Sequence, residues 1–136
     1  MQPYFYPYLG YWQLIQAADK FVILDDVNYI NKGWINRNNL PSGRFTIPLY
    51  QASQNRMIKN IEMVNGGAVP FLERLQREYG HCEYYKLVMG SVIMVFGGII
   101  TTACYAGMIA VCSYLGINTE IIPSSSDMPH EGKGQE

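Results

Sequence analysis

Residues 20–27 read KFVILDDV and residues 114–122 read YLGINTEII, and the expected fold follows from these two stretches taken together. The first is a short unbroken apolar run ending in two acids, the pattern of a strand buried on both faces with polar groups at its carboxyl end. The second carries the last turn of a helix, a glycine suited to the left-handed position that stops it, and a short apolar strand. Helix, glycine turn and strand form the closing half of an α/β unit. The expected fold class is therefore α/β: a small, partly parallel sheet flanked by helices in a single domain. That domain is expected over residues 1–122, with residues 123–136 (PSSSDMPHEGKGQE) as a polar, flexible tail.

Working outward, residues 9–19 read as a helix that opens just after Pro7 and carries Leu14, Ile15 and Ala18 on its apolar side. Residues 28–43 are rich in Asn, with Gly33, Pro41 and Gly43 as breakers, and read as a loop with at most a short helical turn. Residues 44–49 (RFTIPL) alternate like a strand until Pro48, which cannot donate to a ladder. A weak strand is expected at residues 58–64. Residues 70–79 are the clearest surface helix. Pro70 lies near its first turn, Phe71, Leu72, Leu75 and Tyr79 share one side, and Glu73/Arg77 and Arg74/Glu78 are spaced i,i+4. Residues 83–96 and 99–115 read as two helices broken by Gly97-Gly98, and residues 118–122 as the final strand.

No residue between Lys86 and Glu120 is charged, and residues 87–112 exceed the ~20 apolar residues needed to cross a hydrocarbon core. Hydropathy alone makes this a membrane candidate. Gly90, Gly97, Gly98 and Gly107, with the hydroxyls of Ser91, Thr101 and Thr102, favour buried core helices instead. Gly98, Thr102 and Ala106 recur every four residues and permit close helix packing in either setting.

A length of 136 residues suits one domain. Charged residues make up 15%, well below the quarter usual in soluble domains, and the net charge is −1. No overall field draws such a chain to nucleic acid or anionic lipid, so nucleic acid is not an expected partner and any anionic ligand must be met locally. Charge-poor helices also suit pairing across a homo-oligomer interface. Cys82, Cys104 and Cys112 are odd in number and include no CxxC pair, which fits buried thiols in a reducing cytosol better than disulfides or zinc. The opening MQPYFYPYLGYW has no basic segment followed by an apolar one, so export is not expected and the cytoplasm is.

The ordered stretches QPYFYPYLGYWQLI (2–15), FVILDDVNYINKGWINRNNL (21–40), FTIPL (45–49), ASQN (52–55) and YLGINTEIIPSSS (114–126), with KGQ (133–135), resemble the motifs of WbqC-like proteins. The likeness is strong over residues 1–60 and moderate over 112–135. Over residues 66–111 it rests on spacing and helical character. Members of that family usually place a short apolar strand before the Gln-Pro, beside residues 20–26 in the sheet, and continue past position 135. Against that pattern the chain reads as a truncated, incomplete form. The family is tied to bacterial surface-polysaccharide (O-antigen) gene clusters. The resemblance therefore implies a cytoplasmic transferase of glycine, other aminoacyl or sugar groups.

Asp25 and Asp26 are the catalytic candidates. They close a strand where α/β sheets place ligand sites, and a carboxylate pair can act as general base or hold Mg²⁺ with substrate phosphates. An Asp capping the next turn explains one of them equally well. Lys32, Trp34, Asn36, Arg37 and Asn38 gather two cations, two carboxamides and a flat ring, a pocket for an anionic or sugar substrate. The alternative is a solvated loop with Trp34 packed on the core. Gln2, Tyr8 and Tyr11 in the aromatic opening complete the substrate-binding set. Residues 8–11 have the outline of the H-x-G-H signature of nucleotidyltransferases, written here as Y-x-G-Y. Both imidazoles are missing from it, and Tyr4, Tyr8, Tyr11 and Trp12 also read as packing residues. Neither His81 nor His130 has a visible metal-binding or catalytic partner, so no metal cluster is expected. Residues 124–126 (SSS) suit phosphate or turn chemistry. Three classes of function remain: a transferase, a non-catalytic ligand-binding or scaffold module, and a membrane-associated protein anchored by residues 87–112.

Overall fold

A computed structural model describes residues 1–93 and 97–128, and shows a mixed α/β domain. Residues 129–136, including His130 and the KGQ motif, and residues 94–96 at the expected end of one helix lie outside the described residues. Strand β1 (Lys20–Val22) pairs in parallel with β4 (Glu120–Ile122), in the register Phe21↔Ile121. The two stretches that decide the fold class therefore meet side by side. On the other side of β1, the Met1 ammonium donates to Val22 O at 2.7 Å and Leu24 N donates to Met1 O at 2.7 Å. These two bonds are the parallel pattern, with Met1 opposite Ile23.

Helix α1 (Leu9–Ala17) buries Tyr11, Trp12 and Ile15. Leu14, expected on the apolar side, is exposed instead, because the aromatic residues one turn earlier take the core-facing stripe. The strand also ends earlier than expected: β1 stops at Val22, Ile23 N and Leu24 N still donate to Ile122 O and Met1 O, and Asp25 is buried just beyond those bonds.

The expected loop at residues 28–43 contains a strand. β2 (Arg37–Leu40) and β3 (Gly43–Thr46) form an antiparallel hairpin closed by Pro41 and Ser42, with Gly43 at φ 113°. Asn and Arg have little intrinsic strand preference, and here cross-strand pairing with the RFT segment overrides it. The weak strand expected at residues 58–64 is a 3-10 turn (Ile58–Asn60) followed by isolated bridges Leu49↔Met63 and Glu62↔Ile99.

Helix α2 (Val69–Tyr79) carries Pro in its first turn and the Arg74–Glu78 pair at 3.7 Å, as the sequence requires. Arg74 also donates to Arg44 O at 3.2 Å and Gly43 O at 2.8 Å, and so fastens the hairpin tip to α2. α3 (Tyr85–Ile93) and α4 (Ile100–Leu115) are separate helices in contact with each other, and Gly97 and Gly98 between them take positive φ. Gly116 ends α4 at φ 70°. Among the described residues no helix is long and apolar enough to cross a membrane. α4 buries Ile100, Ala103, Cys104, Met108 and Cys112 against the core that holds Phe5, Ile15, Ile23 and Ile61. Each buried Ile, Phe or Met among them stabilises the fold by roughly 1.5–3 kcal/mol.

Candidate functional site

The hairpin and the opening loop together form a cleft. Asn38, on β2, donates its carboxamide N–H to Phe5 O at 3.2 Å and also to Tyr6 O, while Phe5 N donates to Ile35 O at 3.1 Å. These bonds hold residues 5 and 6 against β2 and against Ile35 just before it. Tyr6 then takes a left-handed backbone (φ 49°), and its ring rests on Gly107 of α4, where a Cβ would come within 3.4 Å. The turn separates buried Phe5 from Pro7 and Tyr8, which stand at the cleft's rim. The cavity between loop and hairpin measures about 200 Å³ and is walled by Tyr4, Tyr8, Trp34, Arg37, Asn38 and Asn39.

Four of the ten candidate residues therefore meet there: Tyr8, Trp34, Arg37 and Asn38. Tyr8 is 69% exposed and Trp34 46%, so both aromatic surfaces are open to a ligand. The Arg44 guanidinium lies over the Trp34 ring, 5.4 Å from its centroid. Arg37 reaches inward. Its Nε–H is buried and has no acceptor among the described residues. Burial raises the pKa of the neighbouring Tyr29 phenol, and the Arg37 charge opposes that rise.

The other six stand elsewhere. Asn36 is buried, accepting from Tyr29 OH at 2.8 Å and donating to Ile47 O at 2.7 Å, so its carboxamide holds the loop to β3. Tyr11 is a core residue whose hydroxyl donates to Gln2 O at 2.8 Å, and burial pushes its pKa upward. That bond uses the main chain of Gln2, and neither residue lines the cleft. Lys32 is exposed at a left-handed position (φ 62°), outside the lining. In the Y-x-G-Y stretch, Tyr8 caps α1 without a side-chain bond, and its ring lies on Gly10, where a Cβ would stand 2.8 Å from Cε2. Gly10 thus makes room for a ring.

Asp25 and Asp26 form a different constellation. Asp25, only 2% exposed, accepts from Ser124 Oγ at 2.7 Å and Ser125 N at 3.3 Å. The Ser125 hydroxyl accepts from the amides of Asp25 (3.2 Å) and Asp26 (3.3 Å) and donates to the Asp26 carboxylate. The start of the expected flexible tail is therefore packed against the end of β1. The Ser125 hydroxyl fills the notch between the two carboxylates. A magnesium ion bridging their near oxygens does not fit this arrangement, because hydroxyl and amide donors already occupy them. Among the described residues no three His, Cys, Asp or Glu side chains gather as a metal site.

Sequence reasoning missed Tyr4 and Asn39 in the cleft. No sequence signal singled out Asn39, because residues 36–39 have the composition of a turn.

Comparison with known proteins places the chain in a family. The uncharacterised protein Rv1507c of Mycobacterium tuberculosis (strain ATCC 25618 / H37Rv) is 23% identical over 134 residues, a match that takes in 91% of this chain. The chain spans 58% of the length of that relative. No solved structure matches. The family model for WbqC-like proteins matches residues 2–136, essentially the whole sequence, and the chain belongs to the WbqC-like protein family.

Proposed function

We propose that this protein is a cytoplasmic transferase, acting on an activated sugar or aminoacyl substrate in bacterial surface-polysaccharide assembly, and that the Tyr8–Trp34–Arg37 cleft holds the anionic part of that substrate. The observation that carries the site is Arg37 in the wall of a cleft whose lining includes no acidic side chain. A carboxylate or phosphate in the cleft can accept charge-assisted hydrogen bonds from that guanidinium. The open faces of Tyr8 and Trp34 supply the ring-binding surface beside it. The polysaccharide context and the transfer chemistry come from the family's association with such gene clusters.

Ligand capture without turnover is the second reading. It is favoured by the cleft lining, which includes no carboxylate, imidazole or thiol to serve as general base, while Asp25 and Asp26 are engaged with Ser124 and Ser125.

A thermal melt of the whole chain with nucleotides, nucleotide-sugars and amino acids, each with and without Mg²⁺, tests the binding site. One anionic class should raise the melting temperature, and Arg37→Ala should abolish the shift. Equal shifts in the wild type and the variant would remove the cleft from the reading. Turnover that survives changing both Asp25 and Asp26 to Asn would remove the acids from the chemistry.

A further inference from the structure

The cleft is small, and its size and chemistry together narrow what it takes. At about 200 Å³ it falls below the ~300–1,000 Å³ of clefts that enclose drug-sized ligands. An entire nucleotide-sugar is too large for it, whereas one ring with one small substituent is not. Arg44 covers one part of the Trp34 indole, and the ring is still 46% exposed. An aromatic face of negative quadrupole suits the polarised C–H face of a sugar ring. Asn39, an exposed residue of the lining, adds a carboxamide that can both donate to and accept from ring hydroxyls. Arg37 supplies the charge. Arg37 lines the cleft, and the planar fork of its guanidinium can donate to both oxygens of an anion.

We infer that the cleft is a subsite for a single pyranose-sized ring carrying one anionic substituent, carboxylate or phosphate, with the anion on the Arg37 fork and the ring against Trp34. The inference rests on the cleft being the ligand site proposed above and specifies what it takes.

Titration of the full chain with glucuronate, glucose 1-phosphate, glucose, inorganic phosphate and UDP-glucose, followed by tryptophan fluorescence, tests it. Of the two tryptophans, Trp12 is buried and Trp34 is exposed. Glucuronate or glucose 1-phosphate should bind roughly tenfold to a hundredfold tighter than glucose, the ratio expected of one or two charge-assisted bonds. Either should also exceed inorganic phosphate by about tenfold, and their relative order identifies carboxylate or phosphate as the preferred anion. Trp34→Phe should abolish the signal change. Arg37→Gln and Arg37→Lys should both reduce binding to the level of glucose, since Lys restores the charge without the fork. Glucose matching glucuronate, inorganic phosphate matching glucose 1-phosphate, or Arg37→Lys matching wild type each overturns the inference. If UDP-glucose alone binds and Arg37→Gln removes it, the single-ring inference fails and the proposed function stands. If none of the five binds, both fail. Should Arg37→Gln lower the melting temperature, the order of ligands on the wild-type chain decides the matter.

Discussion

Ser125 reaches Asp25 across 100 residues of sequence, its hydroxyl 3.2 Å from the Asp25 amide nitrogen and hydrogen-bonded as well to the Asp26 carboxylate. One side chain thereby ties the segment after β4 to the segment after β1, at the same end of the parallel pair. Lys59 strengthens the junction, its amide donating to Asp25 O at 3.0 Å and its ammonium to Ser126 Oγ at 2.7 Å.

Removing the Ser125 hydroxyl leaves the amides of Asp25 and Asp26 without that acceptor. Ser125→Ala should destabilise the domain by about 1–3 kcal/mol in urea unfolding at unchanged m-value. Asp25→Ala should cost a similar amount, and the double variant less than the sum, because both changes break one network.

Gly10 gives an effect of opposite sign on stability and on binding. A methyl there collides with the Tyr8 ring, which is the exposed end of a mobile side chain and can swing away. Alanine also favours the helical backbone by up to about 1 kcal/mol. Gly10→Ala should therefore leave the melting temperature unchanged or raised, while weakening the ligand of the cleft. Differential scanning calorimetry and the fluorescence titration report the two halves separately.

The Glu78 carboxylate is held below the usual value near 4.5 by the Ser42 hydroxyl bond first, with the Ser42 amide and the Arg74 and Arg77 charges adding to it against desolvation. Its stabilising contribution is complete above the unfolded value and disappears as pH falls through the lower folded one. Wild type should melt above Glu78→Gln at neutral pH, and the gap should close below about pH 4.5. A constant gap down to pH 2 would contradict this account.

Thiol reactivity should be divided unequally. Burial pushes the Cys104 and Cys112 thiols upward, whereas Cys82 is exposed. An aromatic disulfide reagent at pH 8 should modify one thiol per native chain quickly and the other two only on unfolding. Cys82→Ser should abolish the fast phase.

Where local chemistry settles local structure, the sequence was sufficient. Pro70 with the i,i+4 charge pairs placed α2, Gly97-Gly98 separated α3 from α4, and Gly116 ended α4 before a strand. The strands expected at residues 20–27 and 118–122 suggested a partly parallel sheet, and parts of both pair in parallel. Trp34, Arg37 and Asn38 stood out as binding candidates because their side chains carry recognisable chemistry.

Other features depended on partners distant in the chain. Residues 37–40 read as loop because Asn prefers turns, and became a strand only by pairing with residues 43–46. Asn36 and Asn38 look alike in sequence. One is sealed against Tyr29 and Ile47, while the other pins the opening loop and lines the cleft. The Asp pair and the serine tract were each legible as polar clusters, but their joining across 100 residues was not. Composition and periodicity record what a residue can bond to. Which bond it makes is fixed when the chain closes and excludes water, and only tertiary structure decides that.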